Sequence, residues 1–328
     1  MEYVLLISVA VSFLLTVLIM PKWIKVCRKI GLVWEDMNKF GHPKNVAASG
    51  GIVVVMSFVL GVMTYVALKT FVFGGQVKSL EIFALLSMIL ILGIVGLTDD
   101  LLGWKHKGLS IRLRLLLAAA ASVPLVVINA GVHTMSLPFV GSVNFGILYP
   151  LVLIPVAVVG VSTTYNFLAG FNGLEAGQGI LVVGFLSFVA YATGSPWLAV
   201  VGLCMVGALV GFYIFNRVPA KVFPGDIVTY AVGALIAGMA ILGNFEKIAL
   251  VVFIPYIIEV ILKSRGKLKK HSFGIPDKKG GLKMPYDKIY GLEHLAIKVL
   301  GKGATERKVT YLIHAFQILF ILIAFLML

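Results

Sequence analysis

Long apolar blocks alternate with short polar segments along the whole chain. The blocks are about 18 to 20 residues long, which matches the length of helix that crosses the hydrocarbon core of a bilayer. We predict transmembrane spans at residues 3–20, 49–68, 80–98, 113–130, 145–162, 177–193, 196–214, 227–242, 247–262 and 310–328. The short alternating segments that are typical of a membrane β-barrel are missing from the sequence. The pattern therefore predicts an all-α polytopic membrane protein with about ten transmembrane helices, forming one domain over residues 1–328.

The composition agrees with this prediction. The 328 residues are 60% hydrophobic and only 13% charged, and the mean hydropathy is +1.03. A soluble globular chain carries about 25% charged residues. The first apolar block lacks a small-residue cleavage pattern and is followed, not preceded, by positive charges. It is therefore predicted to be a retained span and not a signal peptide.

The charge distribution predicts an orientation. The net charge is +14, and alternate loops together with Arg114 carry twenty-five of the 28 lysines and arginines. Those loops are residues 21–48, 99–112, 163–176, 215–226 and 263–309. The positive-inside rule places them in the cytoplasm. The excess of basic residues then mainly reflects membrane topology, and these residues can in addition attract phosphate groups. We expect no nucleic acid partner.

Two polar segments on the predicted cytoplasmic side carry acids and amides. Asp99 and Asp100 follow the third span, and adjacent carboxylates near a bilayer are costly unless a cation or a proton neutralises them. The alternative is a pair of solvated acids at a helix end. Residues 166–175 combine the amides of Asn166 and Asn172 with flexible glycines and end at Glu175. The alternative there is a simple Asn/Gly turn between helices.

Two further segments add an acid and several cations. Asp226 begins the eighth span, where an aspartate is either a helix cap or a ligand for Mg²⁺, which prefers one or two carboxylates plus substrate phosphates. Residues 263–309 are strongly basic, and most of these lysines are expected to be solvated. Lys270 and His271 are the part that we expect to contact phosphate. Together the four segments suggest a metal-and-phosphate site at one face of the membrane.

Three of these motifs carry a resemblance to a known family. The sequences GLTDD at 96–100, NFLAGFNGLEAGQ at 166–178 and FNRVPAKVFPGD at 215–226 resemble the polyprenyl-phosphate N-acetylhexosamine-1-phosphate transferases. The chain is most similar to the eukaryotic and archaeal UDP-GlcNAc–dolichyl-phosphate branch. The bacterial phospho-MurNAc-pentapeptide translocases are more distant, since they carry aspartates at the positions of Ala169 and Asn172.

The resemblance implies a Mg²⁺-dependent enzyme, with Mn²⁺ as a substitute, that transfers GlcNAc-1-phosphate from UDP-GlcNAc to a polyprenyl or dolichyl phosphate and releases UMP. This is the first membrane step of glycan assembly such as N-glycosylation. Matching motif positions imply metal ligands, catalytic acids and substrate-binding residues. They are Asn166 and Asp226 for the metal, Asp99 and Asp100 for catalysis, and Lys107, Asn172, Glu175, Lys270 and His271 for substrate. The resemblance also implies a homodimer, and the short loops favour an archaeal cell membrane over an endoplasmic reticulum membrane.

Three positions depart from the family pattern. Thr163 replaces an asparagine, Ala48 replaces a glutamate, and Ser272 replaces the second arginine of a basic cluster. Two alternatives stay open at this point. One is the same chemistry with another UDP-N-acetylhexosamine. The other is a secondary transporter, which also places polar breaks between helices, although usually near the membrane midplane and in two related halves.

Overall fold

A bundle of long apolar helices forms the protein, and the computed structural model describes residues 6–105, 108–137 and 141–328. Seven helical segments are long and apolar enough to cross a membrane, by length and composition. They are α1 (Leu6–Ile30), α2 (Gly51–Ala67, continued by a π-helical turn Leu68–Val72), α3 (Ser79–Lys105), α7 (Leu174–Ala192), α8 (Pro196–Asn216), α9 (Asp226–Gly243) and α13 (Glu306–Phe325). The protein is therefore a polytopic membrane protein.

The other three predicted spans are interrupted helices. They correspond to α4 (Ile111–Ala121) with α5 (Val123–Val127), a π-helical turn Tyr149–Leu153 with α6 (Ile154–Tyr165), and α10 (Glu246–Val252) with α11 (Ile254–Arg265). A proline lies in the first turn after each break, and proline has no amide hydrogen to continue a helix. The apolar pattern located these segments but did not show the breaks, so a total of ten spans stays a prediction.

The predicted loops also contain secondary structure that the apolar pattern did not indicate. α12 (Leu292–Leu300) lies within the basic segment 263–309, followed by a 3₁₀ turn at Gly301–Gly303. Three antiparallel hairpins interrupt the helical architecture: β1 (Val33–Glu35) with β2 (Lys44–Ala47), β3 (Thr134–Leu137) with β4 (Gly141–Asn144), and β5 (Ile275–Pro276) with β6 (Leu282–Lys283). The prediction of an all-α protein is thus correct for the membrane bundle and incomplete for its loops.

α9 lies at the centre of the bundle. Every residue from 227 to 239 is buried, and the helix packs against α3, α6, α7 and α2. α1 and α13 lie at the periphery, where most of their surface faces outward. Because α9 is enclosed, its first residue, Asp226, is held in a fixed place among the ends of neighbouring helices.

Backbone hydrogen bonds join two polar segments at this end of the bundle. The amides of Gly50 and Gly51 donate to the carbonyls of Phe223 and Pro224, each at 2.9 Å. The amide of Phe223 donates to the carbonyl of Ala47 at 2.8 Å. The strand β2 and the segment before α9 are therefore fixed to each other, and both contribute residues to the wall of the same cavity.

Candidate active site

The two predicted catalytic aspartates lie inside α3, in its last two turns, because the helix continues past the apolar block that predicted it. The loop therefore begins later than residue 99. Gly96 lies one turn earlier, and a Cβ atom there would come within 2.6 Å of the Asp226 carbonyl oxygen. Glycine is required at this crossing because it alone lets α3 approach the first turn of α9 so closely.

Asp100 and Asp226 are in direct contact. The backbone amide of Asp226 donates to Oδ1 of Asp100 at 2.8 Å. Asp226 does not cap its own helix, since Gly225 occupies the cap position and Asp100 supplies the acceptor. Oδ2 of Asp100 is buried and has no hydrogen-bond partner among the described residues. One carboxylate oxygen is thus left without compensation.

Arg114 completes what we call the acidic cluster: Asp99, Asp100, Asp226 and Arg114. Its Nη1 lies 3.0 Å from Oδ2 of Asp99 and 3.7 Å from Oδ2 of Asp226. The other oxygen of Asp99 accepts a hydrogen bond from the Leu109 amide. Two of the three carboxylates therefore pair with the guanidinium, Asp100 does not, and the cluster carries an excess of negative charge.

Sequence reasoning counted Arg114 only as a positive-inside charge. A signal was present, because an arginine in the first turn of a predicted membrane helix is itself a functional indication. What the sequence did not show is its partners, which lie fifteen residues earlier in α3 and 112 residues later in α9.

The acidic cluster borders a cavity of about 670 Å³. Five predicted site residues line it: Asn166, Asn172, Glu175, Asp226 and His271. Aromatic and polar residues that the sequence analysis did not single out complete the wall, among them Trp34, Asp36, Lys44, Asn216, Phe223, Thr229, Phe273 and Tyr286. The motifs that are far apart in sequence therefore meet around one space.

The segment 166–175 forms one wall and is held by its own side chains. Oδ1 of Asn166 lies 3.1 Å from the Thr229 hydroxyl of α9. Oε1 of Glu175 accepts a hydrogen bond from the Gly170 amide at 2.9 Å, which closes the loop on itself. Gly170 adopts a φ of 107°, a conformation that favours glycine. The segment is therefore a loop whose conformation is fixed by side-chain hydrogen bonds, and not a simple Asn/Gly turn.

Asn172 is buried and forms hydrogen bonds with other parts of the protein through both its side chain and its backbone. Its side-chain amide donates to Oδ2 of Asp36 at 3.0 Å, and its backbone amide donates to Oε1 of Glu306 at 3.0 Å. Glu306 also pairs with Lys39, whose pKa is lowered because burial disfavours its charged form. Asn172 thus connects the cavity wall to α13.

The basic segment forms part of the cavity wall, next to the loop 166–175. His271 lines the cavity, and its backbone amide donates to the Tyr286 hydroxyl at 3.2 Å. Nζ of Lys270 lies 4.6 Å from the centre of the Tyr286 ring and 5.7 Å from that of Tyr290. Cation–π contacts therefore hold Lys270 at the edge of the cavity. Lys107 lies outside the described residues.

A second group of charges, the Lys263 cluster, lies behind this wall and consists of Glu259, Lys263, Ser272 and Glu293. Nζ of Lys263 lies 3.3 Å from Oε1 of Glu259 and 3.0 Å from the Ser272 hydroxyl, and it donates to the Phe167 carbonyl. The i, i+4 spacing of Glu259 and Lys263 favours an ion pair on one helix face, whereas the contacts to Phe167 and Ser272 arise only from the tertiary structure. Lys263 thereby ties the loop 166–175 to the basic segment.

Glu293 of α12 is fully buried, and neither of its carboxylate oxygens has a hydrogen-bond partner among the described residues. Burial, together with the negative charge of Glu259, raises the pKa of Glu293 well above its ordinary value. Oε2 of Glu259 accepts a hydrogen bond from the Leu292 amide at 2.6 Å and so caps α12. The sequence did not indicate this cluster, since α12 itself was not predicted.

The structure shows which groups contact two of the three residues that depart from the family pattern, Ser272 and Ala48. Ser272 accepts the hydrogen bond from Lys263, a role that requires a small hydroxyl group. Ala48 is buried, and its carbonyl accepts a hydrogen bond from the indole of Trp23 at 3.1 Å. Thr163 lies in α6, half-buried, and nothing in the structure explains the substitution.

Comparisons with known proteins identify the family. The profile of glycosyl transferase family 4 matches residues 82–244. A protein of Sulfolobus acidocaldarius is 35% identical over 98% of this chain and 95% of its own length. It carries the provisional name UDP-N-acetylglucosamine–dolichyl-phosphate N-acetylglucosaminephosphotransferase, as does a protein of Saccharolobus solfataricus that is 35% identical over 90% of this chain and 87% of its own length.

A bacterial relative is more distant. The phospho-N-acetylmuramoyl-pentapeptide-transferase of Halalkalibacterium halodurans is 30% identical over 81% of this chain and 86% of its own length. The matched residues 82–244 contain the GLTDD, NFLAGFNGLEAGQ and FNRVPAKVFPGD motifs, and so every carboxylate of the acidic cluster. Membership in a family of transferases also removes the secondary transporter alternative. The chain belongs to glycosyl transferase family 4.

Proposed function

We propose that the protein transfers GlcNAc-1-phosphate from UDP-GlcNAc to a polyprenyl phosphate of the dolichyl type, forming polyprenyl-diphosphate-GlcNAc and UMP. The observation that carries the proposal is the contact between Asp100 and Asp226 at the wall of a cavity of about 670 Å³. Nearly full-length similarity to two proteins named for this reaction supports the choice of substrates.

The acidic cluster fits a Mg²⁺ ion. Three carboxylates lie in the cluster with one guanidinium, which pairs with Asp99 and Asp226 only, and Oδ2 of Asp100 is buried without a hydrogen bond in the described chain. Among the described residues, no group of three or more His, Cys, Asp or Glu side chains is arranged to hold a metal ion. Mg²⁺ is usually held by one or two carboxylates together with substrate phosphates and water. Asp226 and Asn166 are the proposed ligands, and the ion would supply positive charge beside the diphosphate.

We propose different roles for the two adjacent aspartates, and the difference in their contacts supports this. Both oxygens of Asp99 have partners, Arg114 and the Leu109 amide, so Asp99 positions Arg114. Asp100 fixes the start of α9 with one oxygen, while its other oxygen is buried and makes no hydrogen bond of normal geometry among the described residues. Asp100 is therefore the carboxylate that would orient the lipid phosphate or accept its proton.

The reaction is a displacement at phosphorus. An oxygen of the lipid phosphate forms a bond to the phosphorus that carries the sugar, and the bond from that phosphorus to the UMP oxygen breaks with its electron pair. Both reactants are anions, so catalysis consists mainly of positioning and charge compensation. Lys270, His271 and Lys107 are the proposed contacts to the diphosphate, while Asn172 and Glu175 shape the wall around the sugar nucleotide.

We further propose that the cavity opens to the cytoplasm of an archaeal cell. The support is the concentration of lysine and arginine in the loops that carry the site residues. A homodimer stays a prediction.

A transfer assay with purified protein tests the proposal. UDP-GlcNAc labelled in the sugar, a polyprenyl phosphate and Mg²⁺ are mixed, and label is measured in the organic phase. We expect label in the lipid and equimolar UMP, with loss of both in Asp226→Ala. A panel of other UDP-N-acetylhexosamines tests the sugar, and preferential transfer of another sugar would contradict the assignment of GlcNAc.

A further inference from the structure

A second cavity, of about 380 Å³, lies on the other side of Asn172 from the candidate active site. It is formed by the end of α8, the segment 217–221 and the first turns of α13. Three cationic side chains line it, Arg217, Lys221 and Arg307, and none of its lining residues is an aspartate or glutamate. We call it the basic cavity.

The cations of the basic cavity are not used for ion pairs within the described chain. The guanidinium of Arg307 has one long contact, 3.4 Å, to the carbonyl of Val218. The nearest acid in sequence, Glu306, is engaged elsewhere, because its carboxylate pairs with Lys39 and accepts the Asn172 amide. Three exposed positive charges around one concave space therefore have no acidic partner among the described residues, and such a site favours an anion with several acceptor oxygens.

The position of the cavity in the bundle indicates the kind of anion. Ile214 of α8 and Tyr311 of α13 also line the cavity, and both belong to helices long enough to span the membrane. These two side chains are 46% and 55% exposed, on helices whose outward faces meet lipid in a membrane protein. The space thus connects a cationic pocket with a lipid-facing surface, which matches a lipid with a phosphate headgroup.

The basic cavity is physically connected to the candidate active site. Asn172 lines both cavities. Its carbonyl lies 3.5 Å from the hydroxyl of Thr310, which also lines the basic cavity, and its side chain binds Asp36 in the active-site wall. A ligand that orders Arg307 and Thr310 therefore acts on the same residue that shapes the active-site wall.

We propose that the basic cavity binds the phosphate group of an anionic membrane lipid, separately from the lipid substrate, and that its occupancy orders Asn172 and the loop 166–175. Binding at this cavity does not depend on the proposed transferase reaction. The proposed ordering of the loop 166–175 depends on the proposed transferase function only if it is measured through enzymatic activity.

The test uses the full-length protein in detergent and a variant that removes two cations, Arg217→Gln with Arg307→Gln. The matched control is Lys298→Gln with Lys302→Gln, which removes two exposed lysines that do not line the cavity. Lipid binding is titrated by native mass spectrometry with phosphatidylglycerol, with neutral phosphatidylcholine and with inorganic phosphate.

Wild type and control should bind phosphatidylglycerol equally, and the cavity variant should bind it about 25-fold more weakly, given the contribution of each basic residue to anionic lipid binding. Equal binding by the cavity variant and wild type would overturn the proposal. Saturation of the same site by inorganic phosphate, with no gain from the lipid, would overturn the assignment to a lipid.

A second measurement distinguishes lipid binding at the basic cavity from the proposed transferase reaction. Hydrogen exchange of residues 166–175 is measured with and without phosphatidylglycerol, in the absence of substrates. We expect slower exchange in wild type and in the control but not in the cavity variant. If the lipid binds and exchange is unchanged, the coupling through Asn172 is wrong. Neither result depends on whether the protein transfers GlcNAc-1-phosphate.

Discussion

The acidic cluster and the Lys263 cluster have similar side chains and different surroundings. Each combines buried or half-buried carboxylates with a single basic side chain, Arg114 in one and Lys263 in the other. The acidic cluster borders the 670 Å³ cavity through Asp226, whereas Glu259 and Glu293 are completely enclosed between α11 and α12. The contrast lies in access and not in residue type.

Access decides what can neutralise the excess negative charge. A carboxylate beside an open cavity can be compensated by a metal ion or a substrate that arrives from solution. A sealed carboxylate must keep a proton or a permanent cation, because an isolated buried charge is very costly. The acidic cluster is therefore suited to binding and chemistry, and the Lys263 cluster to holding the loop 166–175 in place.

The largest expected effect separates the two clusters by activity. Asp100→Asn removes the negative charge next to Asp226 and should lower the rate of transfer about 1,000-fold, the scale of one lost proton acceptor in the reaction. Its melting temperature should stay unchanged or rise, since one repelling carboxylate is gone. Glu293→Gln is the matched neutralisation in the sealed cluster and should keep activity within a few-fold. Similar losses in both variants would remove the functional distinction.

The next effect concerns stability. Lys263→Met leaves Glu259 buried without its cation, and breaking one half of a buried ion pair costs about 3–5 kcal/mol. Unfolding of the variant in detergent should show this loss. Restoring the balance with Glu259→Gln in the same chain should recover most of it. A double variant as unstable as Lys263→Met alone would show that the cost does not come from the uncompensated charge.

A smaller effect tests Arg114 as a positioning residue. Arg114→Gln removes the contacts to Asp99 and Asp226 and should lower kcat by about 10- to 100-fold, the scale of one lost charge-assisted contact. Arg114→Lys should recover part of the loss because a single ammonium can still reach Asp99. An unchanged KM for UDP-GlcNAc would separate this role from direct substrate binding, and a change in KM alone would contradict it.

The smallest effect is a pH dependence of stability. Because the pKa of Glu293 is raised in the folded protein, its contribution to stability is fully present below the ordinary value of 4.5 and is lost as the pH rises through the folded pKa. The free energy of unfolding of wild type should fall as the pH rises from 4.5 through the folded pKa, and that of Glu293→Gln should fall by less over the same range. Parallel pH profiles would show that Glu293 does not hold a proton in the folded state.

The sequence predicted the helical segments well and their ends less well. Each predicted span coincides with helix, because burial in lipid imposes long apolar runs that are visible in one dimension. The predicted loops starting at 21 and 99 begin inside α1 and α3, since a helix continues through polar residues once it has formed. The sequence did not predict α12, because a helix of nine residues within a lysine-rich segment does not resemble a transmembrane span.

The candidate site was predictable as a set of motifs and not as a set of contacts. Asp100, Asn166 and Asp226 were chosen from the sequence, and the structure brings their segments together around one cavity. Arg114, Thr229 and Lys263 were not chosen. Each acts through a partner more than ten residues away along the chain, and no local pattern records such a pairing.

The sequence by itself determined that this chain lies in a membrane as a bundle of helices, and it contained the acids and amides of a transferase site. The reason is that hydrophobic length and residue chemistry are local properties. Only the tertiary structure decided which carboxylate oxygen is free and which acids are sealed from solvent. Those outcomes depend on how α3, α4, α9, α11 and α12 pack against one another. Packing sets the distances between charged groups and their access to water, and both determine the electrostatic energy of each charge.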